Sequence, residues 1–134
     1  MDAIVVRVET EVNLTEDVEK VKKAVINIFG NVLMEIKPSF KGSILYGEAE
    51  GGQEALVNFR RLLSLDRIRD AARRALLGGI RVGTIGFCLN KQVAFAGHVS
   101  FSEDVAESPL GPLRVTIECE DPRLVVDWLA ARTA

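Results

Sequence analysis

The chain has 134 residues, of which 48% are hydrophobic and 27% charged, and its formal net charge is −2. This length and composition predict one globular domain over residues 1–134 and exclude a disordered or collagen-like chain. No apolar run approaches the roughly 18 residues of a membrane span and no basic signal peptide opens the chain, so we expect a cytoplasmic protein without membrane contact.

Positive charge is concentrated in one segment of the sequence. Residues 60–81 contain seven arginines and two aspartates, whereas the segments before and after carry net negative charge. Such asymmetry indicates a surface for an anionic partner and says little about the fold. Arginine-flanked helices also serve as solubilising edges, so a merely solvated face stays open as the alternative.

The first half of the chain predicts a strand, a helix and a hairpin. Residues 3–12 alternate between apolar and polar side chains, which is typical of a half-buried strand. Thr15 is the predicted N-cap of a helix that ends at Gly30. Residues 32–36 and 44–50 are short β-type runs, and the proline and glycine between them predict a turn at residues 37–42.

Residues 53–77 have a helical pattern that one straight helix does not fit. The apolar faces of the two halves are rotated relative to each other, so we expect a break at residues 64–66, with Ser64 or Asp66 capping the second piece and Gly78-Gly79 ending it. The second piece has arginines on both sides of its apolar stripe. They are Arg67, Arg69, Arg73 and Arg74.

The stretch from residue 83 to 101 predicts a hydrophobic strand pair in the middle of the sheet. Its two β-type runs, residues 84–89 and 93–101, flank Asn90, Lys91 and Gln92. Three consecutive polar side chains at a strand end suit either a polar turn or contacts with a phosphate and a base. His98, the single histidine, has no catalytic partner in the local sequence, so we expect an ordinary strand position.

The last elements are a strand at residues 113–120 and a helix capped by Asp121 with Pro122 at its first position. The whole pattern predicts an α+β fold: one mixed, mostly antiparallel sheet, with the helices packed mainly on one face, in the order βαββααβββα. No nucleotide, metal or nucleophile motif is present, so we expect a protein without enzymatic activity, cofactor or metal. Cys88 and Cys119 are expected to be buried small hydrophobes.

Several stretches of the chain together resemble an archaeal family, uncharacterised protein family 0201, whose members are generally described as RNA-binding proteins. The stretches are residues 13–21, Asn90-Lys91-Gln92 with Ala94, Phe95 and Gly97, residues 107–112, Asp121-Pro122, and residues 127–129. The family is similar in fold to the ribosomal protein that binds 5S ribosomal RNA.

This resemblance implies an RNA partner, such as ribosomal or transfer RNA. We expect Arg67, Arg69, Arg73 and Arg74 to contact phosphates and Asn90, Lys91 and Gln92 to supply nearer contacts, so Lys91→Ala should reduce affinity and leave stability nearly unchanged. Some relatives are fused to a P-loop nucleotide kinase, which implies an accessory module for such a kinase as the alternative. The sequence also leaves a homodimer open.

Overall fold

A computed structural model of the chain describes residues 3–40, 42–102 and 111–132. In chain order the elements are β1 (Val5–Asn13), α1 (Val18–Phe29), β2 (Leu33–Ser39), β3 (Gly42–Glu50), a short 3₁₀ helix (Gly52–Leu56), α2 (Val57–Leu65), α3 (Arg69–Gly78), β4 (Ile80–Arg81), β5 (Thr84–Asn90), α4 (Lys91–Phe95), β6 (Phe101–Ser102), β7 (Pro112–Glu118) and α5 (Pro122–Leu129).

The strands form one sheet in the order β2-β3-β1-β7-β5-β4, with β6 also paired to β5. Every strand pair among the described residues is antiparallel. The predicted α+β class is therefore confirmed, with an antiparallel sheet where a mixed one was expected. Strand β1 is central, because it pairs with β3 on one side and β7 on the other.

The core lies between one face of this sheet and the helices. Alternate residues of β1 and β7, such as Val8 and Ile117, are buried there against apolar side chains of α1, α2, α3 and α5. Phe59 of α2 is fully buried and stacks on Phe87 of β5, with 5.5 Å between ring centroids. The opposite face carries the polar alternates of the same strands and is open to solvent, so helices on one face are confirmed.

The predicted strand at residues 93–101 is wrong for most of its length. Residues Lys91–Phe95 form helix α4, and only Phe101–Ser102 pair with β5. The cause is local, because the Asn90 side chain accepts a hydrogen bond from the backbone N–H of Val93 at 3.0 Å and starts a helical turn. Strand β5 also lies near the edge of the sheet and not in its middle.

The predicted break in the 53–77 helix is confirmed, but its predicted cap is wrong. Helix α3 has Ile68 at the N-cap position with no side-chain cap. The Asp66 carboxylate instead accepts a hydrogen bond from the Val99 backbone N–H at 3.0 Å and lies 3.1 Å from His98 Nδ1. Arg67 turns the chain here with a φ of 55°, in the left-handed region.

Two smaller features also differ from expectation. Helix α1 is capped by Asp17 and not by Thr15, since the Asp17 carboxylate accepts from the backbone N–H of Glu19 at 2.9 Å. The β2–β3 ladder runs through Ser39 and Gly42, so the hairpin turn is tighter than residues 37–42.

No helix within the described residues is both long and apolar enough to cross a membrane.

Candidate nucleic-acid interface

The arginine-rich segment folds into helices α2 and α3, which pack against each other and against α5. Five of its arginines are exposed at this helical side, and we call them the arginine surface: Arg60, Arg61, Arg67, Arg69 and Arg74. Arginine keeps its charge at any physiological pH and presents a planar fork that fits a phosphate. The helical side thus holds a cluster of permanent positive charges.

Two of these arginines are held in place by neighbours. The guanidinium of Arg60 lies 4.9 Å from the ring centroid of Trp128, and its Nε donates to the Trp128 carbonyl oxygen at 2.9 Å. Arg61 donates to Asn58 Oδ1 at 2.8 Å through Nη2. Trp128 is half-buried against the core, and its ring also contacts the Arg60 cation.

Arg73 differs from the other predicted phosphate-binding arginines. Its side chain is only 12% exposed, and Nη1 lies 2.7 Å from Asp127 Oδ1 and 3.1 Å from the Ala130 carbonyl oxygen. These bonds attach α3 to α5. Arg73 is therefore neither free nor exposed. In contrast, Arg67, Arg69 and Arg74 are exposed and make no ion pair with any described residue.

Lys91, from which a contact with RNA was expected, is buried. Its side chain is 4% exposed, and Nζ donates to the Glu11 carbonyl oxygen at 2.7 Å and to Glu16 Oε1 at 3.1 Å. The same Glu16 oxygen accepts from the backbone N–H and the Nδ2 of Asn13. The buried pair joins the end of β1, the β1–α1 turn and the start of α4, so Lys91 does not offer its charge to a phosphate.

The other two members of the triplet have separate positions. The Asn90 side chain is the α4 cap described above, and Gln92 is exposed on the first turn of that helix. The triplet is thus divided between a cap, a buried cation and one accessible amide. It does not form the joint surface that its sequence suggested.

The open face of the sheet has a different charge pattern. Acidic residues outnumber basic ones on it: the acids are Glu9, Glu11, Glu35, Glu48, Glu50 and Glu118, and the bases are Arg7, Lys37, Arg81 and Arg114. Arg7 is engaged by two of the acids, with its Nε 3.6 Å from Glu48 and its Nη1 hydrogen-bonded to Glu118. This face is therefore net negative, and Arg7 at its centre is already engaged by acids.

The cysteines show no ligand-like grouping. Cys119 is buried as expected, and burial together with the nearby Asp121 charge raises the pKa of its thiol. Cys88 is half-buried on the open face of the sheet. Within residues 3–40, 42–102 and 111–132, no three His, Cys, Asp or Glu side chains converge to hold a metal ion.

Comparison with known proteins identifies the family. A family model described as RNA binding matches residues 5–119. The UPF0201 protein of Sulfurisphaera tokodaii is 42% identical over 127 residues, which are 95% of this chain and 87% of that protein. The UPF0201 protein of Pyrobaculum aerophilum is 43% identical over 125 residues, 92% and 86% of the two chains. The chain belongs to uncharacterised protein family 0201.

Solved structures of family 0201 share this fold. The UPF0201 protein from Methanococcus jannaschii superposes with a TM-score of 0.84 at 30% identity, covering 94% of this chain and 98% of that one. A second UPF0201 crystal structure gives a TM-score of 0.81 at 32% identity. The resemblance inferred from the sequence motifs is confirmed, while the nucleotide-kinase partner and the homodimer stay predictions.

A cluster of two lysines and one aromatic ring in this family 0201 member was not among the predicted site residues. Phe95 at the end of α4 is partly exposed, and Lys20 Nζ and Lys23 Nζ of α1 lie 5.9 Å and 5.5 Å from its ring centroid. From the sequence, the lysines of α1 suit a solvated helix face, with a second basic face as the alternative. Their meeting with Phe95 depends on the packing of α1 against α4, where Asn27 Nδ2 donates to the Ala94 and Phe95 carbonyl oxygens.

Proposed function

We propose that this protein binds RNA through the arginine surface on its helical side. The observation that carries the proposal is that Arg67, Arg69 and Arg74 are exposed and make no ion pair with any described residue. Their guanidinium groups keep hydrogen-bond donors available for phosphate oxygens, which supply most of the affinity in sequence-independent recognition. Membership of a family whose model is described as RNA binding supports the same conclusion.

The two arginines held by neighbours extend this surface. Arg60, stacked on Trp128, and Arg61, bonded to Asn58, lose less conformational freedom on binding than free side chains would. Arg73 has a supporting role in this proposal, because its bonds to Asp127 and Ala130 fix the orientation of α3. Asn90 and Lys91 likewise act within the fold.

The open face of the sheet is a poor platform for RNA in comparison. Its excess of glutamates would repel phosphates, and removing Arg7 from Glu48 and Glu118 to contact RNA would break existing bonds. Tyr46, the single tyrosine, lies on this face beneath Lys37, whose Nζ is 5.3 Å from the ring centroid. An aromatic ring that lies between Glu9 and Glu35 and is already contacted by Lys37 does not resemble the stacking platforms of basic grooves.

The proposal is tested by neutralising the free arginines. Fluorescently labelled RNA, one single strand and one stem-loop, is titrated with wild type and with Arg67→Gln/Arg69→Gln/Arg74→Gln over a range of salt concentrations. We expect weaker binding and a slope of log K against log salt reduced by about 2 to 3, since each phosphate contact contributes about 0.7 to 0.9.

A matched triple variant on the sheet face is the control. Arg7→Gln/Arg81→Gln/Arg114→Gln changes the net charge by the same amount and should leave the salt slope at the wild-type value. Equal effects of the two triples would mean that only overall charge matters. Wild-type affinity and slope in the arginine-surface triple would contradict the proposal.

A further inference from the structure

In the described part of the chain, strand β2 is an unpaired edge of the sheet. Among the described residues it pairs only with β3, so its outer backbone N–H and C=O groups face away from the sheet. Such an edge is a template for pairing with another strand. Strand β2 exposes an apolar side chain on each face of the sheet: Leu33 is 85% exposed on the open face, and Ile36 is 37% exposed on the helical face.

A broad cleft of about 1180 Å³ extends from this edge over β3 and β1 as far as β7. Apolar side chains such as Ile26, Leu33 and Met34 line it near β2, and charged residues of the open face line much of the rest. Strand addition uses two features: an unpaired backbone edge, which supplies hydrogen bonds, and apolar side chains beside it, which supply contact area. We propose that the occupant is β2 of a second copy of this chain, paired antiparallel about a two-fold axis at Ile36.

The charges on β2 select this axis. Glu35 and Lys37 are exposed on the open face, and Glu35 makes no ion pair with any described residue. An axis at Ile36 places Glu35 of each copy opposite Lys37 of the other, which gives two identical cross-strand ion pairs. An axis at Glu35 or at Lys37 would place like charges opposite each other. A register shifted by one residue would put the two cores on opposite sides of the joined sheet.

Proline and lysine near this edge could instead serve to block pairing, as they do in many edge strands. In the proposed register Pro38 faces Met34 of the other copy, close to the end of the paired region. Because proline lacks only its own N–H, it removes at most one hydrogen bond at each end. The blocking role predicts a monomer, so the oligomeric state separates the two interpretations.

The dimer does not depend on RNA binding. Helices α3 and α5 lie over β4 and β5, at the opposite edge of the sheet from β2. Pairing through β2 would therefore leave both arginine surfaces accessible at the two ends of one continuous sheet. A C2 arrangement of this kind is the commonest among homo-oligomers.

The first experiment exchanges charges and measures mass by light scattering and sedimentation. Wild type should be a dimer at micromolar concentrations, and Lys37→Glu or Glu35→Lys alone should be a monomer, since each variant puts like charges opposite each other. Mixing the two single variants should give a heterodimer, and the double variant Glu35→Lys/Lys37→Glu should dimerise again. A monomeric wild type, or single variants that dimerise as wild type does, would overturn the proposal.

Cysteine crosslinking tests the axis itself. Directly opposite residues have Cα atoms about 4.5 to 5.5 Å apart, within disulfide range, so Ile36→Cys should form a covalent dimer under mild oxidation. Leu33→Cys is the control: its side chain is more exposed, but the register puts the two copies of residue 33 about 20 Å apart. Crosslinking through Leu33→Cys but not through Ile36→Cys would contradict this register, and wild type reports any background from Cys88 and Cys119.

Discussion

The helical side and the open sheet face of this molecule both carry many charged residues, but they use them differently. On the sheet face Glu9 lies opposite Arg114, and Arg7 is held between Glu48 and Glu118. On the helical side Arg67, Arg69 and Arg74 have no acidic partner among the described residues. The two regions therefore differ in the pairing of their exposed charges, and the exposed arginines without an ion-pair partner are the basis of the binding surface proposed on the helical side.

The same distinction separates neighbouring residues on the helical side. Arg73 and Arg74 are adjacent in sequence, yet one is nearly buried against α5 and the other is exposed. Substitutions at such pairs separate contributions to the fold from contributions to binding. Adjacent residues therefore serve as matched controls for several of the substitutions.

The largest effect should come from breaking the attachment of α3 to the sheet. The backbone N–H of Gly86 donates to the Gly79 carbonyl oxygen at 2.9 Å, and a Cβ on Gly79 would overlap the carbonyl oxygen of Gly86. Gly79→Ala should therefore lower the free energy of unfolding by about 3 kcal/mol in urea denaturation. Gly78→Ala, whose Cβ would meet nothing within 4 Å, should leave it unchanged or raise it slightly; equal losses would contradict the account.

A comparable loss should follow from removing Lys91. Lys91→Ala leaves the nearly buried Glu16 carboxylate without its cation, and breaking a buried ion pair costs about 3 kcal/mol. Gln92→Ala, at an exposed position, should change the free energy of unfolding by less than about 0.5 kcal/mol. A Lys91→Ala variant that is as stable as wild type in thermal denaturation would show that the buried pair contributes nothing to stability. It would favour an exposed lysine instead.

A smaller effect distinguishes Arg73 from Arg74. Arg73→Gln removes the ion pair with Asp127 and should destabilise the protein by about 1 to 2 kcal/mol. Arg74→Gln should leave stability unchanged but reduce the salt slope of RNA binding by about 0.7 to 0.9. The prediction fails if the two variants exchange these properties.

The smallest effect concerns pH. Burial opposes ionisation of Asp66, but hydrogen bonds from Val99 N–H and His98 more than offset it and hold the pKa of this carboxyl below its usual value. A lowered folded pKa stabilises the fold above the unfolded pKa of about 3.9, and this contribution is lost as pH falls through the folded value. The free energies of unfolding of wild type and Asp66→Asn should thus differ most above about pH 5 and converge as the pH is lowered. A difference that is constant with pH would contradict this.

Much of the fold could be predicted because its signals are local. The alternation in β1 and β7, Gly30 at the end of α1 and Asp121 before α5 all act within a few residues, and all lie where the sequence placed them. Helix α4 was missed because Val93 and Phe95 read as strand residues. Its formation depends on the Asn90 cap and on packing against α1, which the pattern of apolar residues does not reveal.

The candidate site was harder to predict because it depends on distant partners. Lys91 is buried by Glu11 and Glu16, which are 80 and 75 residues away in sequence. Arg73 is paired with Asp127 from the last helix. The sequence shows the arginine-rich segment as a candidate site, but it does not reveal which of its side chains are bonded within the fold and which are exposed.

The most direct test of the account is to map where RNA touches the protein. Wild type is crosslinked to a photoreactive RNA strand by ultraviolet light, and the modified peptides are identified by mass spectrometry. We predict adducts on peptides that contain residues 60–74 and none on the peptide that contains Tyr46 on the open sheet face. Adducts concentrated at Tyr46 and the neighbouring strands, with none on the arginine surface, would contradict the central claim that the helical side binds RNA.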